Sequence, residues 1–143
     1  MTNIRPTDWR MMDLSEIMTT LPPLTTKTLW AILNDELDDA TVNQLVWHYL
    51  GYRQTDDRWD TSAVPEAWVE NYPAPPNFIE SRPATVQLTR SIPKANKQLL
   101  KEQLGFKGYS VDELVPRKTR RATMVNWLLS YARDRNLNLG DDS

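Results

Sequence analysis

Apolar residues recur at helical spacing in several separate stretches of this chain. Leu29, Ile32 and Leu33 share one face of a segment covering residues 26–35. Val42, Leu45, Val46 and Tyr49 then form a full inward stripe, so a second helix follows Asp38 and Asp39, acids that suit an N-cap and the positive end of a helix dipole. Gly51 stops it. A further helix is predicted from Pro93, a favoured first-turn residue, through Leu99, Leu100 and Leu104 to Gly105. The last spans residues 119–135, and near the N-terminus residues 7–18 read as a helix closed by Leu21, Pro22 and Pro23. The stops Leu50-Gly51-Tyr52 and Leu104-Gly105-Phe106 look alike. A left-handed glycine followed by an apolar residue is common helix-stop grammar, so they read as punctuation and not as a repeat.

Between these helices the texture changes. Residues 52–83 hold Tyr52, Trp59, Trp68, Tyr72 and Phe78 among prolines at 65, 73, 75, 76 and 83. Proline at this density prevents long helices and removes ladder donors. Short helical turns fit residues 65–72 and 76–81, and residues 52–54 and 58–60 can pair as a small hairpin. Residues 84–90 alternate like a strand but have no obvious partner, which favours a helix. The pattern as a whole predicts a mainly α fold. It is a compact single-domain helical bundle of about five helices, crossed by a Pro/Trp-rich irregular segment. Residues 1–143 form the domain, with 1–20 a peripheral N-terminal helix and 136–143 a flexible tail.

Charge adds an asymmetry. The net charge of −2 conceals 13 acids against 5 bases in residues 1–80, and 12 bases against 6 acids in residues 81–143. The halves either neutralise each other on folding or leave a basic half facing an anionic partner. There is no cysteine, which excludes disulfides, thiolate metal sites and cysteine nucleophiles. No apolar run approaches membrane-spanning length, so a soluble, cytoplasmic protein without membrane insertion is expected.

The chemistry-bearing inventory is thin. No phosphate-cradling or dinucleotide-binding glycine motif occurs, and the single histidine, His48, lies off the apolar stripe of its helix. No catalytic, metal or cofactor-binding residue is expected. The cluster Asp35, Glu36, Asp38 and Asp39 lacks the glycine and spacing of a calcium loop. It reads as a solvated turn that caps the next helix, or as a receiver for basic side chains. Pro73-Ala74-Pro75-Pro76 fits a polyproline ligand in form and a rigid loop in context.

Four basic residues, Arg117, Lys118, Arg120 and Arg121, sit at the start of the last helix, where the dipole favours acids. On a wheel of about 100° per residue Arg121 falls within the apolar side, among Met124, Leu128 and Val125, while Thr119, Thr123, Asn126, Ser130 and Asp134 form the polar side. A guanidinium directed into protein needs carboxylates or carbonyls, such as the acidic turn at 35–39 or the C-terminal end of another helix. If the helix instead starts near Thr123, the basic run is a loop able to grip an external anion. Residues 82–135 carry a net charge of +8, and residues 93–135 resemble a helix-turn-helix unit in outline.

Three blocks, LWAILNDELDDATVNQLVWHYLGYR, RPATVQLTRSIPKANKQLLKEQLGFKGY and PRKTRRATMVNWLLSY, are long enough to compare as wholes. They resemble a family of small proteins from cyanobacteria, with plastid relatives in plants, known as domain of unknown function eighteen twenty-three. The resemblance covers about residues 21–131 and implies the cytoplasm of an oxygenic phototroph. It carries no activity, cofactor or site residue with it. The expectation is therefore a non-enzymatic protein-interaction or assembly factor. Its contact surface combines Trp47, Trp59 and Trp68 with Arg117, Lys118, Arg120 and Arg121, since aromatics and arginine dominate binding hot spots. For each tryptophan taken singly, core packing is the simpler role. The alternatives are a nucleic-acid-binding protein using residues 93–135, and an enzyme without a recognisable motif.

Overall fold

The structure, a computed structural model, describes residues 21–140. Helix α1 (Thr26–Leu33) starts where the Thr25 hydroxyl accepts the Thr28 N–H at 3.2 Å, and it buries Leu29, Ile32 and Leu33 as their spacing predicts. Helix α2 (Asp39–Leu50) is capped by Asp38, whose Oδ1 accepts the Thr41 N–H at 3.0 Å. It ends at Gly51, with φ +114°, and the Tyr52 N–H folds back to the Trp47 carbonyl at 3.1 Å.

The hairpin forms. Strands β1 (Arg53–Thr55) and β2 (Arg58–Asp60) pair antiparallel, with Gln54 opposite Trp59 and Asp56 at φ +52° in the turn. Helix α3 (Glu66–Asn71) buries Trp68. The turn predicted as helical at residues 76–81 is instead organised by Asn77, whose Oδ1 accepts the N–H groups of Ile79 and Glu80, both at 3.0 Å. Residues 84–90 lie in a helix, α4 (Arg82–Ser91), capped by Ser81.

The helix predicted from Pro93 is broken. A 3₁₀ turn (Lys94–Asn96) precedes α5 (Leu99–Leu104). Tertiary hydrogen bonds cause the break. The buried Asn96 amide donates to Ser130 Oγ (3.0 Å) and Asp134 Oδ1 (3.1 Å), while Asn126 Oδ1 accepts the Leu100 N–H (3.0 Å) and caps α5 from another helix. A second 3₁₀ turn (Val111–Glu113) leads into α6 (Pro116–Asp134), which starts three residues before its predicted start and places Pro116 in the first turn.

Helix α6 is the axis of the fold, with α1, α2, α4 and α5 all packed against it. The middle of its supposed polar side is therefore interior, while Thr119 and Asp134 at its two ends stay exposed. Asn126 and Ser130 are buried, as are Met124, Val125, Trp127, Leu128 and Leu129. The structure is mainly α, with six α-helices and a single two-stranded sheet among the described residues. Residues 136–140, predicted as part of a flexible tail, fold back: Leu137 donates its N–H to the Ala132 carbonyl at 2.9 Å and Leu139 joins the core. The predicted N-terminal helix lies outside the described residues.

Candidate functional site

Asp35 turns the chain between α1 and α2 at φ +62°, a conformation that Asp adopts more readily than most residues. This turn sets the carboxylates of Asp35 and Asp39 beside the open carbonyl end of α1. The first two turns of α6 bring Arg117 and, four residues on, Arg121 to the same place. Arg117 donates Nη1 and Nη2 to the two Asp35 oxygens, at 3.0 and 2.8 Å, and Nε to Asp39 Oδ2 at 3.0 Å. That is a two-pronged fork on one carboxylate with a further bond to the other.

Arg121 lies deeper and is only 1% exposed. Its Nη1 donates to Asp39 Oδ1 at 2.7 Å, and its Nη2 donates to the carbonyls of Ile32 (3.0 Å) and Leu37 (2.7 Å). One guanidinium thus neutralises a carboxylate and closes the carbonyl end of α1, where a cation is favoured. The reversed charge at the mouth of α6 is resolved in the same way. The acids its dipole calls for come from the α1–α2 turn and not from its own first turn, which holds none.

The Arg117 guanidinium, donating to its carboxyl, holds Asp35 below the usual carboxylate range, and the two aspartates in turn push Arg117 up. A carboxyl whose pKa is lowered by folding contributes stability above its unfolded value. That contribution fades as pH falls through the folded value. The stability gap between wild type and Arg117→Met should therefore be constant near neutrality and narrow below about pH 4. Urea unfolding at stepped pH measures it. Both side chains are more than a third exposed, so the gap should be modest and should shrink with salt.

The other basic residues find nearer partners. Arg120 Nη1 donates to the Ile79 carbonyl at 2.9 Å. Lys118 lies 3.7 Å from Glu113 and 5.6 Å above the Tyr109 ring, and Tyr109 donates its hydroxyl to the Leu33 carbonyl at 2.9 Å. The predicted contact surface is thereby corrected. Arg121 is sealed inside, and Arg117 spends its donors on Asp35 and Asp39.

The tryptophans are corrected too. Trp68 is 3% exposed and packs edge-on against Phe78 at 5.7 Å. Trp47 donates Nε1 to the Pro76 carbonyl at 2.6 Å and meets Trp59 edge-on at 5.8 Å, which pins the hairpin to α2. The three aromatics hold the irregular segment in place, Trp68 from within the core and Trp47 with Trp59 at the hairpin. His48, predicted at a solvent or helix flank, is half-buried with no hydrogen-bond partner at Nδ1, and burial lowers its pKa. It stands edge-on to Tyr49 at 5.0 Å, a setting that favours neutral imidazole.

Three of the four exposed large apolar residues among those described cluster just before α6, where the sequence pattern does not announce them. Val111 is 85% exposed, Leu114 55% and Val115 44%. Their spacing mimics a buried helix face. The available signal was the flanking punctuation, because Ser110 and Glu113 form a capping box just before Pro116 and leave too short an element to bury anything. Among the described residues no three His, Cys, Asp or Glu side chains converge as a metal site, and no helix is long and apolar enough to cross a membrane.

Fold and site together define a small, mainly α domain built around one central helix and locked by an arginine–aspartate cluster. The chain belongs to the family described as Domain of unknown function (DUF1823), whose model matches residues 23–133. It is also similar to a solved solution NMR structure, at 59% identity and a TM-score of 0.71, over 80% of this chain and 98% of that one. No curated protein matches the sequence.

Proposed function

We propose that this protein is a non-enzymatic protein-interaction or assembly factor, working in the cytoplasm of an oxygenic phototroph. Its contact surface is the apolar ridge Val111, Leu114 and Val115. The observation that carries this reading is the exposure of three neighbouring aliphatic side chains on a segment held in place. The capping box of Ser110 and Glu113 fixes one end, and the Lys118–Glu113 pair ties it to α6. Apolar side chains presented together on an ordered segment mark a contact surface more often than they serve solubility.

The nucleic-acid alternative loses two of the four basic side chains at the helix mouth. Arg117 and Arg121 are spent on Asp35 and Asp39, and α6 is surrounded by other helices instead of projecting as a recognition helix. A photo-crosslinking residue placed at Leu114, in cells of an oxygenic phototroph, tests the proposal. It should capture a protein band that survives nuclease, weakens with Val111→Asp, and is absent when the crosslinker sits at Asp57 in the hairpin turn. A nuclease-sensitive product, or no product specific to position 114, would overturn it.

A further inference from the structure

Resting on that reading, we infer that the groove between α4 and α6 binds an acidic, apolar segment of the partner protein. The groove has a volume of about 440 Å³ and runs directly from the ridge, since Leu114, Val115 and Pro116 form one of its walls. Val86 lines it from α4, with Arg82 and Arg120 beside it, and none of the described residues in the lining is acidic.

Four threonines complete the lining, and their hydroxyls are turned inward to backbone. Thr85 donates to the Phe78 carbonyl, Thr89 to Thr85, Thr119 to Pro116 and Thr123 to Thr119. What remains for a ligand is methyl surface and hydroxyl oxygens that can only accept. A groove that reads as polar in sequence is thus largely apolar in chemistry, with charge confined to its edge.

Among the described residues the charge at that edge has no carboxylate partner. The ion pairs of the described residues all belong to Arg117, Lys118 and Arg121. Arg82 and Arg90 are exposed, and Arg120 commits only Nη1, to a carbonyl. A second hollow shares Arg82 and Val86 with the groove and adds Arg90, which continues the basic edge along α4, with one carboxylate, Glu70, on the far side toward α3. Apolar anchors seated on methyls, with carboxylates reaching Arg82, Arg90 and Arg120, complement this surface. A bare phosphate chain would find arginines but no free hydroxyl donors among the lining threonines.

The test uses the full chain and a fluorescein-labelled amphipathic peptide of leucines and glutamates at helical spacing, read by anisotropy. A peptide with every glutamate replaced by lysine serves as control, with a single-stranded oligonucleotide beside it. The leucine–glutamate peptide should bind at least about tenfold more tightly than either probe. Arg82→Glu should weaken it about tenfold, and Arg82→Glu/Arg90→Glu further. Arg82 lies in the first turn of α4, where an acid suits the dipole, so the single variant should melt with wild type. As a variant-free check, added salt should weaken binding without abolishing it, because the anchors are apolar.

Equal binding of the acidic and basic peptides overturns the inference, as does tighter binding of the oligonucleotide. A concentration-dependent dimer lost on Arg82→Glu also overturns it, by making a second copy of this chain the occupant. If a protein crosslinks through Leu114 but the peptide does not compete with it, the groove assignment fails and the interaction reading stands. If the peptide binds and nothing crosslinks, the groove chemistry stands and the interaction reading fails.

Discussion

Arg121→Met is expected to lower folding stability by about 3–5 kcal/mol, the cost of removing one partner from a buried charged cluster. Methionine replaces much of the side chain's volume, so little of the loss comes from a cavity. It comes from the groups left behind. The Ile32 and Leu37 carbonyls lose their Nη2 donor, and Asp39 keeps only its bonds to Arg117. Arg121→Lys should recover part of the loss, since an ammonium carries the charge but cannot span a carboxylate and two carbonyls with one planar fork. Asp39→Asn should cost less than Arg121→Met, because the Asp39 side chain is 37% exposed and water can replace part of what it loses. Urea unfolding of the three variants measures the order. A loss below about 1 kcal/mol for Arg121→Met would mean that the cluster relaxes around the gap and does not lock α1 to α6.

Arg121 was legible because its demand is local. A guanidinium on the apolar side of a helix needs acceptors whatever the rest of the fold does, and the acidic turn and a helix carbonyl end were the acceptors within the chain. Here both serve at once. The burial of Asn126 and Ser130 was not legible. A neutral amide or hydroxyl on a helix looks the same facing water as facing a partner. Only the tertiary placement of Asn96 and α5 turns that side inward. The broken helix after Pro93 has the same origin, because the competing hydrogen bonds come from residues about thirty positions away, beyond the reach of any local pattern. The groove escaped notice for a related reason. Threonines count as polar in sequence, yet each lining hydroxyl spends its one proton on a backbone carbonyl. The tryptophans mark the opposite limit: their number announced a packed irregular segment, but only the Pro76 carbonyl placed opposite Trp47 shows how one of them is held.

The two helix stops that look alike in sequence should respond very differently to alanine. Gly51→Ala is expected to cost about 3 kcal/mol or more, and Gly105→Ala about 1 kcal/mol. At Gly105, φ is +72°, within reach of the left-handed region, and an added Cβ meets nothing within 4 Å. At Gly51, φ is +114°, and a Cβ would lie 2.4 Å from the Ala63 carbonyl oxygen and 2.7 Å from its carbon. Those are backbone atoms, so relief requires moving the segment that leaves β2. That segment carries Val64 into the core, just ahead of α3 and Trp68. The penalty at Gly51 is therefore shared between α2 and everything the hairpin positions, whereas the penalty at Gly105 is confined to the end of α5. Thermal unfolding of both variants gives the energies, and the near-ultraviolet circular dichroism of the tryptophans reports whether the hairpin has shifted. Equal penalties would mean that the chain at Ala63 yields freely, and that Trp47 and Trp59 hold the hairpin to α2 without help from the close backbone approach at Gly51.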